Sequence, residues 1–111
     1  MISPPVYSGM REDNGTPVIF RNGELFTPNL SLAVRNHSPT GFEWSYQGSG
    51  PAQLALAILI DCLGVYWAEN VYQAFKRDVI AKLPKHEEWS LQWFDISGWF
   101  TRHLAETLNS L

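Results

Sequence analysis

Four neighbouring side chains that could bind an anion occupy one segment, which reads Arg35, Asn36, His37 and Ser38. Arginine is suited to bidentate binding of a carboxylate or phosphate. Farther along, residues 47–51 read QGSGP and lead into a predicted helix, whose first N–H groups attract negative charge. If the loop folds over this helix N-terminus, residues 35–38 would form a small-anion or nucleotide site together with Gly48, Ser49 and Gly50.

The same glycines also have a purely structural interpretation. The segment matches neither GxxxxGK[ST] nor GxGxxG, and Pro51 removes one N–H donor that an anion would use. The glycines would then only let the chain turn sharply into a buried helix. The Asn and Ser side chains of the loop would bond their own backbone, with Arg35 paired to Glu43. The sequence leaves both interpretations open.

Catalytic and metal-binding patterns are not indicated. GxSxG, HExxH and HxxEH do not occur, and the three histidines are far apart in sequence: His37, His86 and His103. Cys62 is the only cysteine, so neither an internal disulfide nor a cysteine-based zinc site can form. Its apolar surroundings are typical of a small buried hydrophobe. We therefore expect a non-enzymatic protein with no catalytic residues, no metal and no cofactor.

Aromatic side chains point to a different function, the binding of a protein partner. The chain contains five Trp, four Tyr and six Phe. Trp67, Trp93 and Phe94 lie next to predicted helix ends and do not fall on a predicted buried stripe. Exposed tryptophans near one another are typical anchors of an interface. Alternatively, these rings close the two ends of the core.

Length and charge narrow the class of protein further. A chain of 111 residues is expected to form one domain, residues 1–111. The net charge is −3 and the eight Lys and Arg are scattered, so binding to nucleic acid is not indicated. The sequence shows neither a signal peptide nor an apolar run that could span a membrane, which favours a cytoplasmic location. Self-association is left open.

The first third of the chain predicts a three-stranded meander near residues 5–12, 16–21 and 24–27. Asn14-Gly15 and Asn22-Gly23 are both dipeptides favoured in two-residue hairpin turns. Two-residue turns would place Met10 opposite Ile19 in the first hairpin and, in the second, Phe20 opposite Leu25. Residues 28–41 are expected to be irregular, and the alternation in residues 42–46 favours a fourth strand.

Three helices are predicted in the rest of the chain. The first has Ser49 as N-cap and Gly64 as its stop, and it is apolar on almost every face, so it should be buried. The second covers residues 68–83, and the third begins at Asp95 as cap. Residues 88–91 could add a short strand. The expected fold class is α+β, a small antiparallel sheet packed against three helices.

Residues 35–60, RNHSPTGFEWSYQGSGPAQLALAILI, resemble the central signature of a small domain family of unknown function found in bacteria, phages and plasmids. The resemblance continues through YQAFK at 72–76, IAKLP at 80–84 and WSL at 89–91. The family has no assigned activity and no assigned catalytic residues, so the resemblance carries neither over to this chain. Occurrence on mobile elements suggests an inhibitor or modulator in the contest between host and element. We expect an accessory interaction module of this kind, with the anion site as the alternative.

Overall fold

The N-terminal third of the chain folds into an antiparallel meander. Its two connections are a short loop that contains Asn14-Gly15 and a two-residue turn at Asn22-Gly23. In the computed structural model, which describes residues 3–111, strand β1 spans Val6–Arg11, β2 Pro17–Arg21 and β3 Glu24–Leu25. Strand β4, Trp89–Gln92, pairs antiparallel with β1. The sheet therefore has the order β3-β2-β1-β4. With the helices it makes an α+β fold, as the sequence predicts.

The second hairpin has the predicted register. Asn22 and Gly23 both have positive φ, 50° and 83°, as a two-residue type I′ turn requires. Phe20 consequently lies opposite Leu25. This turn is short and fully specified by its dipeptide, so the local sequence was sufficient to predict the pairing.

The first hairpin differs by one residue from the prediction, which was wrong here. Met10 lies opposite Val18 rather than Ile19. The loop has three residues, because the N–H of Gly15 donates to the carbonyl of Glu12 at 2.8 Å and Gly15 has a φ of 87°. That is a type I turn followed by a left-handed glycine. A shift of one residue moves every side chain of a strand to the other face.

Within residues 3–111 the chain forms four α-helices beside the sheet: α1 Asn29–Val34, α2 Ser49–Leu63, α3 Val65–Asp78 and α4 Trp93–Asn109. Helix α1 lies in a segment, residues 28–41, for which the sequence predicts irregular structure, so this prediction is wrong for residues 29–34. It occupies the six residues after Pro28, which contain neither glycine nor proline. Its only buried residue, Ser31, donates through Oγ to the carbonyl of Pro28 at 2.9 Å.

Residues 42–46 do not form the predicted strand. Phe42 and Trp44 are buried, so the apolar–polar alternation correctly marks burial but not pairing. Ser45 has a φ of 77°, and its N–H donates to the carbonyl of Ile80 at 3.1 Å. The indole N–H of Trp44 donates to the carbonyl of Pro84 at 3.0 Å. This segment therefore packs on the chain after α3 instead of on the sheet edge.

Helix α2 runs through the core, as its composition predicts. Every residue from Gly50 to Leu59 is buried. Its N-cap is Gly48 rather than Ser49, and no side chain caps it. Gly64, with a φ of 85°, ends the helix as predicted.

The two later helices have boundaries that differ from the prediction. Helix α3 begins at Val65, directly after Gly64, and a short 3-10 turn at Ile80–Lys82 replaces its expected last turn. Helix α4 begins two residues early, at Trp93. Asp95 is not its N-cap but the third residue of the helix (N3), and it closes a capping box that Gln92 opens as the N-cap.

The ring of Trp89 in β4 packs directly on Gly9 in β1, which leaves no room for a side chain at residue 9. A Cβ atom at Gly9 would overlap the indole of Trp89, which also packs edge-on against Trp44 with ring centroids 5.5 Å apart. The two tryptophans are buried, so the ring has little room to move aside.

We expect Gly9→Ala to lower the free energy of unfolding by about 1–3 kcal/mol, because the added methyl group overpacks the core. Gly98→Ala is the matched control. A Cβ at Gly98 would meet only the end of the Arg102 side chain, at 3.3 Å, and in mid-helix this change should add up to about 1 kcal/mol. Urea unfolding of both variants measures the difference. Equal stability of the Gly9→Ala variant and the wild type would contradict the packing argument.

Candidate functional site

The predicted polar segment is held against α2 by one buried side chain, Gln53. Its Oε1 accepts hydrogen bonds from the backbone N–H groups of His37 at 2.8 Å and Ser38 at 3.1 Å. Its amide nitrogen donates to Ser31 Oγ at 2.8 Å and to the carbonyl of Arg35 at 3.1 Å. An amide has two donors and two acceptor positions, so Gln53 is saturated. The backbone of the segment is therefore fixed by an interaction inside the protein.

The side chains of this segment are directed to α3. Arg35 lies with its Nε 3.8 Å from Glu69 Oε1, so the expected pair with Glu43 is not formed. His37 Nε2 lies 2.6 Å from the hydroxyl of Tyr72. The cation and the imidazole thus already have partners within the fold.

Gly48 and Gly50 allow residues 43–46 to pack closely over the start of α2. A Cβ at Gly50 would lie 2.6 Å from the Cβ of Glu43, and one at Gly48 would lie 2.5 Å from the ring of Tyr46. The carboxylate of Glu43 is bound bidentately by Arg11, at 2.7 and 3.1 Å. This packing favours the structural interpretation of the glycines, and the anion site stays a prediction.

Trp93 and Phe94, two of the predicted interface residues, line a cleft at one end of the sheet. We call this cleft the aromatic cleft. It has a volume of about 590 Å³ and is lined by Pro4, Pro5, Val6, Trp93 and Phe94, among others. Val6 pairs with the last residue of β4, and α4 begins at the next residue. The cleft thus lies between the chain before β1 and the first turn of α4. Phe94 is 67% exposed there.

Trp67 belongs to a second exposed aromatic group. Its ring lies edge-on to Tyr66, with centroids 5.3 Å apart, and to Phe100, at 5.5 Å. Phe100 follows Trp93 by seven residues on α4, so the two share a helix face about 10 Å apart along the axis. We call Tyr66, Trp67, Trp93, Phe94 and Phe100 the aromatic surface. Trp67 and Trp93, both predicted interface residues, are thus connected through one face of α4.

A polar pocket of about 330 Å³ continues the aromatic cleft. It shares the lining residues Ser3, Pro4, Pro5 and Trp93 and adds Arg21, Asp61 and Cys62. The sequence did not identify these three as a group. Arg21 stands at the end of β2 and Asp61 in the last turn of α2, 40 residues later.

Within this pocket, a hydrogen-bonded chain leads from the core to the surface. The hydroxyl of the fully buried Tyr7 donates to Asp61 Oδ2 and lies 3.1 Å from Cys62 Sγ. Arg21 Nε donates to the same Asp61 oxygen at 2.6 Å. Burial and the bond to Asp61 raise the pKa of Tyr7, so its hydroxyl stays a donor. The hydrogen bond to Asp61 raises the pKa of Arg21, which stays charged.

Cys62 is not placed for nucleophilic chemistry. Burial raises the pKa of its thiol to about 11. The thiolate is the reactive form, so the side chain behaves as a small apolar group at neutral pH. Among the residues the structure describes, no group of three or more His, Cys, Asp or Glu could hold a metal ion. None of the helices within residues 3–111 is both long and apolar enough to cross a membrane.

The fold defines the class of protein, an α+β domain, and among its surface depressions one is aromatic at one end and polar at the other. The chain belongs to the family of unknown function DUF6166, whose model matches residues 7–102. The matched part includes Arg21, Asp61 and both aromatic residues that line the cleft. Comparisons with curated proteins and with solved structures find no match.

We expect Asp61→Ala to cost about 1–3 kcal/mol of stability, because it leaves the buried hydroxyl of Tyr7 without its strong acceptor. Tyr7→Phe in the same background should then cost less than it does alone, which a double-mutant cycle in urea measures. Glu69→Ala is the control, since its pair with Arg35 is exposed and should contribute less than about 0.5 kcal/mol. Strict additivity of the two changes would show that the chain from Tyr7 to Asp61 carries no stability.

Cys62 should react slowly with thiol reagents in the folded protein. With a pKa near 11 instead of about 8.5, its thiolate fraction at pH 8 falls by about two orders of magnitude. Since the pKa is raised, the rate should keep increasing with pH beyond pH 9. Stopped-flow reaction with Ellman's reagent checks this, with the urea-unfolded chain as reference. A folded-state rate close to the unfolded one would contradict the expectation.

Proposed function

We propose that this chain is a non-enzymatic protein-interaction module that binds a segment of a partner protein on its aromatic surface. The observation that carries the proposal is the aromatic cleft, about 590 Å³ in volume and lined by Trp93 and the largely exposed ring of Phe94. Clefts of this size with apolar, aromatic walls are the usual form of a binding site.

The energetics of the aromatic surface suit an interface. Complete burial of a Phe side chain contributes about 1.5–3 kcal/mol, and a few aromatic anchors usually supply most of an interface's affinity. Trp93 and Phe94 lie in the first turn of a helix whose N-terminus is fixed by the capping box of Gln92 and Asp95. Rings on such a rigid element lose little conformational entropy on binding.

The use of the titratable side chains supports the non-enzymatic part of the proposal. Cys62 is kept as a neutral thiol, and His37 is hydrogen-bonded to Tyr72. His103 stacks on Trp99 with ring centroids 4.9 Å apart. Each of these groups has a structural partner in the fold, which suits a binding protein better than a hydrolase.

The resemblance to sequences from phages and plasmids suggests the kind of partner. A small accessory protein encoded on a mobile element commonly acts on a host protein, so we propose an inhibitor or modulator that works in the cytoplasm. The alternative, a small-anion or nucleotide site at residues 35–38 and 48–51, has less support because Arg35 and His37 are already engaged.

Selection of random peptides displayed on phage against the purified protein tests the proposal. We expect peptides whose affinity falls about tenfold or more with Phe94→Ala or Trp67→Ala, corresponding to about 1.4 kcal/mol per anchor. Leu108→Ala is the matched control, because Leu108 is 67% exposed, like Phe94, and lies 14 residues farther along α4, about 21 Å along the helix axis. Affinity in this control should stay within a factor of about two.

Two results would contradict the proposal. One is a set of selected peptides whose binding is insensitive to all changes on the aromatic surface. The other is unfolding of the Phe94→Ala and Trp67→Ala variants, which would show that the rings belong to the core. Thermal unfolding of each variant separates these results. We expect Phe94→Ala to match the wild type within about 0.5 kcal/mol. Trp67→Ala should remain folded but lose about 0.5–1.5 kcal/mol per aromatic contact, because its ring packs on Tyr66 and Phe100.

A further inference from the structure

The aromatic cleft and the polar pocket form one continuous depression. They share Ser3, Pro4, Pro5 and Trp93. At one end of this depression stand Val6 and Phe94, and at the other stand Arg21 and Asp61. A ligand lying across both parts would therefore meet apolar walls first and a guanidinium next.

The guanidinium of Arg21 is held in place and has one edge without a partner. Its Nε donates to Asp61 Oδ2 at 2.6 Å, and among residues 3–111 its two Nη groups donate no hydrogen bond. Asp61 is in turn fixed by the hydroxyl of the buried Tyr7. The Arg21 side chain is 38% exposed, so it is oriented from inside the protein while its outer edge remains accessible.

The chemistry that fits this edge is a carboxylate. Two parallel N–H groups of arginine match the two oxygens of a carboxylate, whereas a neutral amide offers only one acceptor. The charge of Asp61 opposes a second anion. That opposition is reduced because the oxygen of Asp61 which accepts from Arg21 also accepts a hydrogen bond from Tyr7.

The source of the carboxylate can also be argued. Capture of a C-terminal carboxylate commonly uses a nest of backbone N–H groups. Pro4 and Pro5, which line both parts of the depression, have no N–H to offer. An acidic side chain held by arginine alone needs no such nest.

We propose that the polar pocket binds the carboxylate of an Asp or Glu side chain in an extended partner segment, whose neighbouring apolar side chains occupy the aromatic cleft. The inference rests on the proposed function and names the partner's chemistry. It assigns Arg21 as a binding residue and Asp61 and Tyr7 as the residues that position it.

Nuclear magnetic resonance titration of the ¹⁵N-labelled full chain tests the inference with three synthetic probes. They are acetyl-Gly-Leu-Glu-Phe-Gly-amide, the same peptide with Gln for Glu, and acetyl-Gly-Leu-Phe with a free C-terminal carboxylate. The indole N–H signal of Trp93, assigned with Trp93→Phe, and the Nε–H signal of Arg21 report on the two parts of the depression. We expect saturable shifts of both signals and a preference for Glu over Gln of roughly tenfold, typical of a charge-assisted pair.

Arg21→Gln should abolish the preference for Glu while leaving the weak binding common to both peptides. Arg21→Lys, which keeps the charge without the fork, should reduce the preference and provides a second variant if Arg21→Gln does not fold. Arg77→Gln is the matched control and should change nothing, because Arg77 forms an exposed ion pair with Asp78 on α3 and lines neither part of the depression.

The outcomes distinguish this inference from the proposed function. Equal binding of the Glu and Gln peptides, or a preference unaffected by Arg21→Gln, would overturn the inference. It would leave the aromatic surface as an interface. Tighter binding of the peptide with the free C-terminus would overturn the assignment to a side chain. No shift of Trp93 with any probe would also overturn the inference, and the displayed peptides would then judge the proposed function separately.

Discussion

Burial of α2 on every side is the constraint on which the rest of the structure depends. A helix buried from Gly50 to Leu59 can carry a polar side chain only where the surrounding chain supplies its hydrogen bonds. Gln53 lies inside this stretch and is saturated by the backbone of residues 35–38 and by Ser31. Asp61 lies where the helix leaves the core, and it binds Tyr7 and Arg21. These two side chains tie a loop and the sheet to the helix.

The two polar side chains have opposite consequences for function. The hydrogen bonds of Gln53 end within the protein, so they fix the backbone of the segment for which the anion site is predicted. The hydrogen bonds of Asp61 reach the surface, because Asp61 orients the guanidinium of Arg21, which lines the polar pocket. A polar residue in a buried helix is therefore informative in either case. It indicates that some distant part of the chain must supply its hydrogen bonds.

Local patterns were sufficient at Asn22-Gly23, which fixed its hairpin, and in α2, whose composition predicted its burial. They were not sufficient at Asn14-Gly15, where the same dipeptide lies in a three-residue loop and the register differs by one residue. The prediction also failed where a distant contact decides. Residues 42–46 have the alternation of a strand but bind the chain after α3, since β4 already occupies the available edge of β1. The pairing of Arg21 with Asp61 joins a strand to a helix, and neither residue marks the other in the sequence.

The position of Asp61 also connects stability with binding. Removing its carboxylate would release Arg21 on the surface and leave the hydroxyl of Tyr7 without its acceptor in the core, so the proposed carboxylate binding and the stability of the fold would be lost together. The ring of Phe94 has no such second role, because it is largely exposed and the capping box around it is formed by Gln92 and Asp95. Substitutions in the aromatic cleft can therefore report on binding alone. Substitutions at Asp61 change the proposed binding and the stability together. Arg21 lies at the outer end of the hydrogen-bonded series Tyr7–Asp61–Arg21, so a substitution there can separate the effect on binding from the effect on stability.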